Sequence, residues 1–432
     1  MQVHIRQAKV TDPASEFHNK LVDITVKNGV IDQITVSKNK GGETTVESGR
    51  KKLYTSPKGA GQLSVSPGWV DILADYREPG YEQKETIETG LNAAAAGGFT
   101  DVFVAPNTNP VIGSKSVIEY ILKKATGHAV SLHPLGSISQ NIEGKSLAEM
   151  MDMHAHGAIA FTDGWHPVQN SNLMLKALEY VKAFNGTLIQ IPEDTSISGT
   201  GLMHEGTVST HLGMPGIPDE AETIIINRDL QLLRYTGSRL HFTGVSTAAG
   251  VEMIRKAKRE KLNVTCSVTP YHLLLTDEVL KGYDSLYKVS PPIRSEKDRK
   301  ALIKGLKDGT IDCITSHHRP HEQDAKAKEF EYAKHGMNIQ ELAFNIALAG
   351  VADAVGADVL VNALSTVPRN IFGLEQATIA KGANARLTLF SIGKSSTKVA
   401  KTASMGINNP FLNTELPGSV VGIISNDTVQ IK

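Results

Sequence analysis

The stretch GWVDILADYREPG, from Gly68 to Gly80, opens the part of the sequence that decides the fold. Its first half, WVDILAD at 69–75, is mostly apolar and predicts a buried β-strand. Its second half carries polar residues, a proline and a glycine, which are typical of a loop. From this point to Thr315, similar strands alternate with helical patterns.

Seven further strands are predicted after this first one. They are 99–104 (FTDVFV), 129–133 (AVSLH), 157–162 (GAIAFT), 187–191 (TLIQI), 239–244 (RLHFTG), 263–268 (NVTCSV) and 311–315 (IDCIT). Helical stretches lie between them, such as 84–96, 172–183, 221–235, 248–259 and 296–306. Eight alternating units predict an α/β fold of the (β/α)8 TIM barrel type, in which a helix follows each parallel strand.

The two ends of the chain have a different pattern. Alternating apolar residues on both sides of Asn28-Gly29 indicate a β-hairpin, whereas the polar stretch from Ser37 to Lys52 predicts a solvated loop. Strand-like pieces return after Asn370. We therefore predict a small β-sandwich-like domain built from residues 1–66 and 370–432, beside a barrel domain of residues 67–369.

Composition narrows the range of partners and locations. Lys and Arg together number 45, as do Asp and Glu, so the formal net charge is zero and nothing indicates a nucleic-acid partner. No apolar run reaches the roughly 18 residues of a membrane span. Cys266 and Cys313 lie in β-like runs and are expected to be small buried side chains without a disulfide. We expect a cytoplasmic protein.

Chemistry in such a barrel is expected where the strands end, because the active sites of this fold lie at the carboxyl face. The first strand ends at Leu73, Asp75 and Arg77. The second runs into APNTNP at 105–110, and the eighth into HHRPH at 317–321.

Several motifs around these strand ends resemble those of dihydroorotase, a cyclic amidohydrolase of the amidohydrolase superfamily. They are REPG at 77–80, APNTNP at 105–110, FTDGWHPV at 161–168, MHEGTVSTHLGMPGIPDEAE at 203–222, VSTAAGVEMIRKAK at 245–258, TCSVTPYHLLLTDE at 265–278, SPPIRSEKDRKAL at 290–302 and DGTIDCITSHHRPH at 308–321. The resemblance covers nearly the whole chain. It implies an amidohydrolase-type barrel and the interconversion of carbamoyl-aspartate and dihydroorotate in pyrimidine biosynthesis.

The resemblance also implies a metal site from which this chain departs. The family places His-x-His on strand 1, an Asp or modified Lys after strand 4, a His after each of strands 5 and 6, and an Asp in a Thr-Asp-His-Ala-Pro-His context after strand 8. The residues at these positions here are Leu73, Asp75, Asp163, Ile191, Gly244 and His317. Asp163 alone matches, and Leu73, Ile191 and Gly244 offer no side-chain ligand to a catalytic zinc.

The residues that grip the substrate in the family are better preserved. Arg77, Asn107 and His321 match the family positions that hold the carboxylate and ring of the substrate. An Arg can grip a carboxylate with two parallel hydrogen bonds. Ser290 stands where the family has an Asn, and its shorter side chain weakens the expectation of ring binding.

Two hypotheses cover the ligand-type residues that remain at the metal positions. In one, Asp75, Asp163 and His317 converge on a single ion. In the other, which we favour, a protonated His317 lies between the two carboxylates and takes the place of the metal. Asp163 and His317 stand at positions that the family uses in catalysis, and we treat them as remnants of a catalytic site. His317 could carry protons, but without a metal there would be no activated water for it to act on.

Three functions are compatible with this sequence. The chain is predicted to be a catalytically impaired dihydroorotase-family protein that acts as a structural or regulatory subunit. The resemblance makes aspartate carbamoyltransferase the natural partner and implies a homodimer. The alternatives are an active cyclic amidohydrolase with a rearranged zinc site, and a non-catalytic binder of a small ureido-carboxylate. No cofactor is expected unless the zinc alternative holds.

Overall fold

The computed structural model describes residues 2–37, 43–57, 61–351 and 354–432, with the backbone alone at 394 and 395. Its strands are β1 (Gln2–Val10), β2 (Leu21–Lys27), β3 (Val30–Val36), β4 (Thr45–Ser48), β5 (Lys51–Thr55), β6 (Ser64–Pro67), β7 (Trp69–Ala74), β8 (Phe99–Val104), β9 (Ser131–Gly136), β10 (Ala160–Phe161), β11 (Leu188–Gln190), β12 (Met203–His204), β13 (Gly216–Ile217), β14 (Leu240–Phe242), β15 (Val264–Val268), β16 (Cys313–Ile314), β17 (Leu387–Thr397), β18 (Leu416–Ser425) and β19 (Thr428–Ile431).

The α-helices lie mostly between the central strands. They are α1 (Ile87–Ala96), α2 (Lys115–Lys124), α3 (Met150–Ala155), α4 (Ser171–Val181), α5 (Thr195–Ser198), α6 (Thr207–Leu212), α7 (Glu220–Thr236), α8 (Ala248–Arg259), α9 (Pro270–Leu274), α10 (Glu296–Lys307), α11 (Gln323–Lys326), α12 (Ala343–Val351), α13 (Ala357–Leu364) and α14 (Thr366–Phe372). Within the described residues, none of these helices is long and apolar enough to cross a membrane.

Eight parallel strands form the barrel, in the order β16-β15-β14-β11-β10-β9-β8-β7. The (β/α)8 prediction is therefore confirmed. One strand was misplaced by the sequence pattern, since the third strand runs to Gly136 rather than ending at His133. Pro134 does not stop it, because its carbonyl still accepts a hydrogen bond from the amide of Ile159 at 3.1 Å.

The first and last barrel strands, β7 and β16, are joined largely through side chains. The buried carboxylate of Asp71 accepts hydrogen bonds from the Thr315 hydroxyl at 2.8 Å, the Ser316 amide at 2.9 Å and the Gln340 amide group at 2.7 Å. The Thr315 hydroxyl also accepts the amide of Leu73 at 3.1 Å. A residue on the first strand thus closes the barrel against the segment after the last.

A second sheet combines both ends of the chain, with the order β19-β18-β17-β6-β1-β2-β3. The extra β domain predicted from the termini is present, whereas its predicted limits at residues 66/67 and 369/370 stay a prediction. The expectation of a loop from Ser37 to Lys52 was wrong over its second half, because β4 pairs with β1 and β5. Residues 38–42 of that stretch lie outside the described part of the chain.

Trp69, the first residue of the first barrel strand, connects the two sheets. Its ring lies 4.7 Å from that of Phe344 on α12 and 5.3 Å from that of Phe390 on β17, and all three side chains are buried. Its indole nitrogen donates to the hydroxyl of Ser66 at 3.0 Å. Aromatic contacts of this kind fix the terminal sheet against the barrel.

We predict that Asp71→Ala lowers the free energy of unfolding by about 3–5 kcal/mol, because it leaves buried donors on three other residues without an acceptor. Urea unfolding followed by circular dichroism measures the change. Asp32→Asn, which removes a carboxylate paired with Lys27 on the surface, is the matched control and should unfold at the parent's urea concentration. Equal stability of the parent and Asp71→Ala would show that this carboxylate does not close the barrel.

Candidate binding site at the barrel mouth

A cavity of about 650 Å³ opens where the barrel strands end. Its lining includes Arg77 after β7, Asn107 after β8, Trp165 after β10, and Arg319 and His321 after β16. Three of the four predicted substrate-binding residues, Arg77, Asn107 and His321, therefore meet in one cavity. Ser290 lies outside this lining and donates a hydrogen bond to Glu193 at 3.1 Å.

Arg77 is held in an unusual backbone conformation. Its φ of 62° lies in the left-handed region, which costs a residue with a side chain about 1–2 kcal/mol. The carboxylate of Asp75 stabilises it by accepting the Arg77 amide at 3.2 Å and pairing with the guanidinium at 3.0 Å. This directs a side chain that is only 9% exposed towards the cavity. Its Nε and second terminal nitrogen have no hydrogen-bond partner among the described residues.

Asn107 is fixed by the loop after the fourth barrel strand. Its amide nitrogen donates to the carbonyl of Asp163 at 3.2 Å, and its amide oxygen accepts the backbone N–H of Trp165 at 3.2 Å. The intervening Gly164 has a φ of +58°, and a Cβ there would lie 1.8 Å from the Asn107 oxygen. Glycine is therefore required at 164 for this contact.

The carboxylate of Asp163 is directed at the end of the third strand. It accepts the amides of Ile138 and Ser139, both at 2.9 Å, and the Ser139 hydroxyl. Burial raises the pKa of Asp163 to about 6 despite these hydrogen bonds. Asp163 thus anchors a neighbouring loop.

His317 is buried and neutral. Its Nε2 is 2.8 Å from the hydroxyl of Thr243, while its Nδ1 has no partner among the described residues. Burial is the main cause that lowers the pKa of His317 to about 3, with smaller contributions from nearby His272, His241 and Arg319. The imidazolium that the sequence hypothesis requires does not exist at neutral pH in this environment.

The predicted Asp–His–Asp cluster does not form in the structure. Trp165 separates two of its members, because its indole nitrogen donates to Asp75 at 2.8 Å while its ring meets that of His317 edge-on at 5.4 Å. Asp163 is bound to the loop after the third strand. Each of the three side chains therefore contacts other groups instead, which the residue types alone could not indicate.

The residues at the barrel mouth do not fit a divalent metal. Leu73 and Ile191 belong to a buried apolar cluster inside the barrel, and the ring of His317 lies where a Gly244 side chain would be. A catalytic zinc needs about three ligand side chains, and Leu73, Ile191 and Gly244 supply none.

Among the described residues, the group of metal-ligand side chains close enough to hold an ion is His204, Asp219 and Asp298, away from this cavity. The guanidinium of Arg294 lies 3.3 Å from both the ring of His204 and the carboxylate of Asp219. It places a positive charge beside these ligands and so disfavours a metal ion there.

His321 is also neutral. Its Nε2 donates to the carbonyl of His335 at 3.0 Å, and its Nδ1 lies 3.5 Å from the ammonium of Lys84, which can only donate. Burial, with the charges of Arg77 and Arg319, lowers the pKa of His321 to about 2. It can therefore accept a hydrogen bond but does not act as an acid at neutral pH.

Sequence reasoning missed Trp165 and Arg319. The guanidinium of Arg319 lies 4.6 Å from the centroid of the Trp165 ring, a cation–π distance. A signal for Arg319 was present, because it stands where the Thr-Asp-His-Ala-Pro-His pattern has alanine. Nothing in the sequence pointed to Trp165, because its role depends on the orientation of its indole ring.

The long segment from Pro192 to Glu220 is built from short elements. It contains α5, α6 and the parallel pair of β12 and β13. Met203 packs with Leu280 and Phe330 in a small buried cluster. A small hydrophobic cluster therefore packs this segment against residues outside it.

We predict that Gly244→Ala destabilises the protein by about 1–3 kcal/mol, and by less when His317 is also alanine. The new Cβ would meet the His317 ring at 2.5 Å, and the φ of +74° adds strain in either background. A double-mutant cycle from urea unfolding measures the coupling. Equal costs in the two backgrounds would mean that the His317 ring does not fill this space.

We predict that His317 makes the protein less stable in acid. Its pKa is about 3 when folded, so the unfolded chain, with an ordinary histidine pKa of about 6.5, takes up the proton first. Below pH 6.5 this lowers the free energy of unfolding by up to about 1.4 kcal/mol per pH unit, until the folded pKa is reached. His317→Gln should lose stability less steeply than the parent between pH 7 and pH 5.

The variant is compared with the parent because the raised pKa of Asp163 has the opposite effect on stability: it favours the folded state below about pH 6. Exposed His211, replaced by Gln, is the control and should keep the slope of the parent. An unchanged slope in His317→Gln would contradict a neutral, buried His317.

Comparisons with known proteins agree with this architecture. A family model described as dihydro-orotase-like matches residues 61–249. The dihydroorotase of Syntrophus aciditrophicus (strain SB) is 40% identical over 424 residues, covering 98% of this chain and 97% of the relative. The dihydroorotase of Geobacter metallireducens is 39% identical over 435 residues and covers 100% of both chains.

Solved structures of hydantoinases share the fold. The L-hydantoinase of Arthrobacter aurescens has a TM-score of 0.81 at 21% identity and covers 99% of this chain and 96% of that chain. A D-hydantoinase has a TM-score of 0.80 at 20% identity, and the match covers 100% of this chain and 95% of that chain. Given the identity and coverage of its sequence relatives, the chain belongs to the dihydroorotase family.

Proposed function

We propose that the chain is a non-hydrolytic member of the dihydroorotase family, which acts in the cytoplasm as a structural or regulatory subunit in pyrimidine biosynthesis. One observation carries this proposal. The space at the barrel mouth that the family gives to a metal is bordered by Leu73, Ile191 and Gly244, and the ring of His317 takes up the room beside Gly244.

The chemistry of amide hydrolysis supports the same proposal. A metal lowers the pKa of bound water from about 15.7 to about 7 and polarises the carbonyl under attack. Neither remnant residue replaces these effects. Neutral His317 has a pKa of about 3 and therefore cannot donate a proton near pH 7, and the carboxylate of Asp163 is bound to the amides of Ile138 and Ser139.

The proposed partner is aspartate carbamoyltransferase, and we propose that the chain itself forms a homodimer. The partner follows from the resemblance to dihydroorotase-like proteins that lack their metal ligands. The near-zero net charge is compatible with self-association, because it gives little electrostatic repulsion between copies.

Binding of a small ureido-carboxylate without turnover is a second candidate function. It is favoured by the unpartnered guanidinium donors of Arg77 in a cavity that also exposes Asn107. A buried donor without an acceptor is costly, and a ligand carboxylate would supply one. The two functions are compatible, since a subunit can bind a metabolite without converting it.

We predict that protein purified with zinc in every buffer contains no stoichiometric metal and does not hydrolyse dihydroorotate. Elemental analysis and the ultraviolet absorbance of product formation measure the two properties. The dihydroorotase of Geobacter metallireducens, treated in parallel, is the reference for both assays. Size-exclusion chromatography with the aspartate carbamoyltransferase from the organism that encodes this chain tests the proposed partner, and we expect the two proteins to co-elute.

Stoichiometric zinc with turnover would overturn the proposal and favour a rearranged metal site. Two variants decide whether such turnover belongs to this barrel. Asp163→Asn and His317→Gln would abolish hydrolysis by this site, whereas activity from a contaminating enzyme would be unchanged.

A further inference from the structure

A second cavity, of about 260 Å³, opens at the opposite end of the barrel from the mouth. Thr187, Arg239 and Asn263, which line it, each directly precede one of three neighbouring barrel strands, β11, β14 and β15. Residues that precede parallel strands lie at the amino face of a barrel, whereas the active sites of this fold lie at the carboxyl face. This amino-face cavity is therefore separate from the barrel mouth.

The amino-face cavity contains one positive charge that the protein leaves unpaired. Among the described residues that line it, Arg239 is the one with an ionisable side chain, so no carboxylate accompanies it. Its guanidinium has neither a hydrogen bond nor an ion pair to any described residue, and the side chains of Thr187 and Asn263 have no such hydrogen bond either. A guanidinium beside hydroxyl and amide donors suits an oxyanion, such as a carboxylate or a phosphate.

A chain of hydrogen bonds begins at this cavity and runs through the barrel. The hydroxyl of Thr265, which lines the cavity, lies 2.8 Å from Nδ1 of His241, and Nε2 of that ring lies 3.1 Å from the Ser267 hydroxyl. Ser267 donates to the Thr243 hydroxyl at 3.0 Å, and Thr243 lies 2.8 Å from Nε2 of His317 at the barrel mouth. These side chains thus connect the two ends of the barrel interior.

The repeat of the β-strand explains why these side chains meet. Thr243 lies two residues after His241 of β14, and Ser267 lies two residues after Thr265 of β15, so each pair points to the same side of its strand. The two strands pair in parallel, with His241 opposite Thr265. His241, Thr243 and Ser267 have no exposed surface. Because water does not compete for their hydrogen bonds, each bond strengthens the next.

All the hydrogen bonds of the chain point the same way. The Ser267 proton is used on Thr243, so Nε2 of the His241 ring must donate to Ser267. Nδ1 of the same ring then accepts the Thr265 proton. Thr243 donates to Nε2 of His317, whose own proton is therefore on the unpartnered Nδ1. Burial lowers the pKa of both His241 and His317 to about 3, so neither ring carries a second proton at neutral pH.

The same chain can form with every hydrogen bond reversed. His241 would then carry its proton on Nδ1 and donate to Thr265, and His317 would carry its proton on Nε2 and donate to Thr243. The exchange is balanced, because Thr265 takes one proton from water and Nδ1 of His317 gives one to water, which keeps both rings neutral. In the reversed direction the Thr265 hydroxyl is free to donate into the amino-face cavity. An oxyanion in that cavity would accept this hydrogen bond and so favour the reversed direction.

We propose that the amino-face cavity is an effector site for a small oxyanion, a carboxylate or a phosphate group, whose binding reverses the hydrogen-bonded chain. Arg239 binds the charge, and Thr265 donates to the ligand. His317 then offers an acceptor instead of a donor at Nδ1. This inference goes beyond the proposed function and stands whether or not the barrel mouth hydrolyses an amide, since it concerns the other face of the barrel.

¹⁵N NMR of the full-length protein labelled at histidine tests this proposal, because protonated and unprotonated ring nitrogens give well-separated signals. His241→Gln and His317→Gln assign the two rings by the signals that disappear. Inorganic phosphate and acetate are the probes, and acetamide is the uncharged control for acetate. We expect saturating phosphate or acetate, but not acetamide, to raise the ratio of the Nε2–H to the Nδ1–H form of His317 at least about tenfold, the effect of one charge-assisted hydrogen bond.

Variants separate binding from transmission. Arg239→Gln should weaken binding of the oxyanion at least about tenfold and remove the response of both rings at the same concentration. Thr243→Val, which interrupts the chain, should keep the response of His241 and abolish that of His317. Arg77→Gln, which alters the barrel mouth and leaves the amino-face cavity intact, is the control and should keep both responses.

Unchanged tautomers of His241 and His317 with both probes, or a response that survives in Arg239→Gln, would overturn the inference. An equal response to acetamide would also overturn it, because the charge of the ligand would then have no role. A response of His317 in Thr243→Val would show that the effect does not pass through the chain. Titration of the parent protein needs no variant, so it decides the matter even if Thr243→Val does not fold.

Discussion

The carboxylate of Asp71 is the interaction on which the arrangement of the barrel mouth depends. It ties the first barrel strand to Thr315 and Ser316 at the end of the last, through hydrogen bonds of 2.8 and 2.9 Å. Just beyond this closure, the amide of Asp75 donates to the carbonyl of His318 at 2.8 Å. The chain therefore brings the loop that carries Arg77 beside the loop that carries Arg319.

The same closure accounts for the way the barrel mouth is filled. Leu73 and Ile191 lie in an apolar cluster, and the polar residues around them bind one another. Trp165 is central to this arrangement, because it donates to Asp75, lies against His317 and supports Arg319. An indole ring and hydrogen bonds thus organise the positions at which the resemblance to dihydroorotase implies a metal site.

Sequence patterns were sufficient for the barrel and for much of the cavity. Alternation of apolar strands with amphipathic helices depends on local residue order, so the eight strands could be read directly. Arg77, Asn107 and His321 meet in one cavity because residues that follow parallel strands all lie at the same face. Topology predicts that such strand-end residues lie together, whereas the choice of Arg77, Asn107 and His321 among them came from the resemblance to dihydroorotase.

The predicted ion cluster failed for a different reason. Asp75, Asp163 and His317 do follow barrel strands, yet which group each side chain binds depends on rotamers and on competing partners. Asp163 found two backbone amides of the preceding loop, and His317 found the hydroxyl of Thr243. Residue type and strand position cannot decide such a competition, and the same limit concealed the role of Trp165.

Diffraction from crystals soaked in zinc, recorded at the zinc absorption edge, tests the central claim most directly. A barrel mouth without a metal site should give no anomalous peak within ligand distance, about 2.0–2.2 Å, of the side-chain atoms of Asp75, Asp163 or His317. A fully occupied peak shared by two of these side chains would contradict the account.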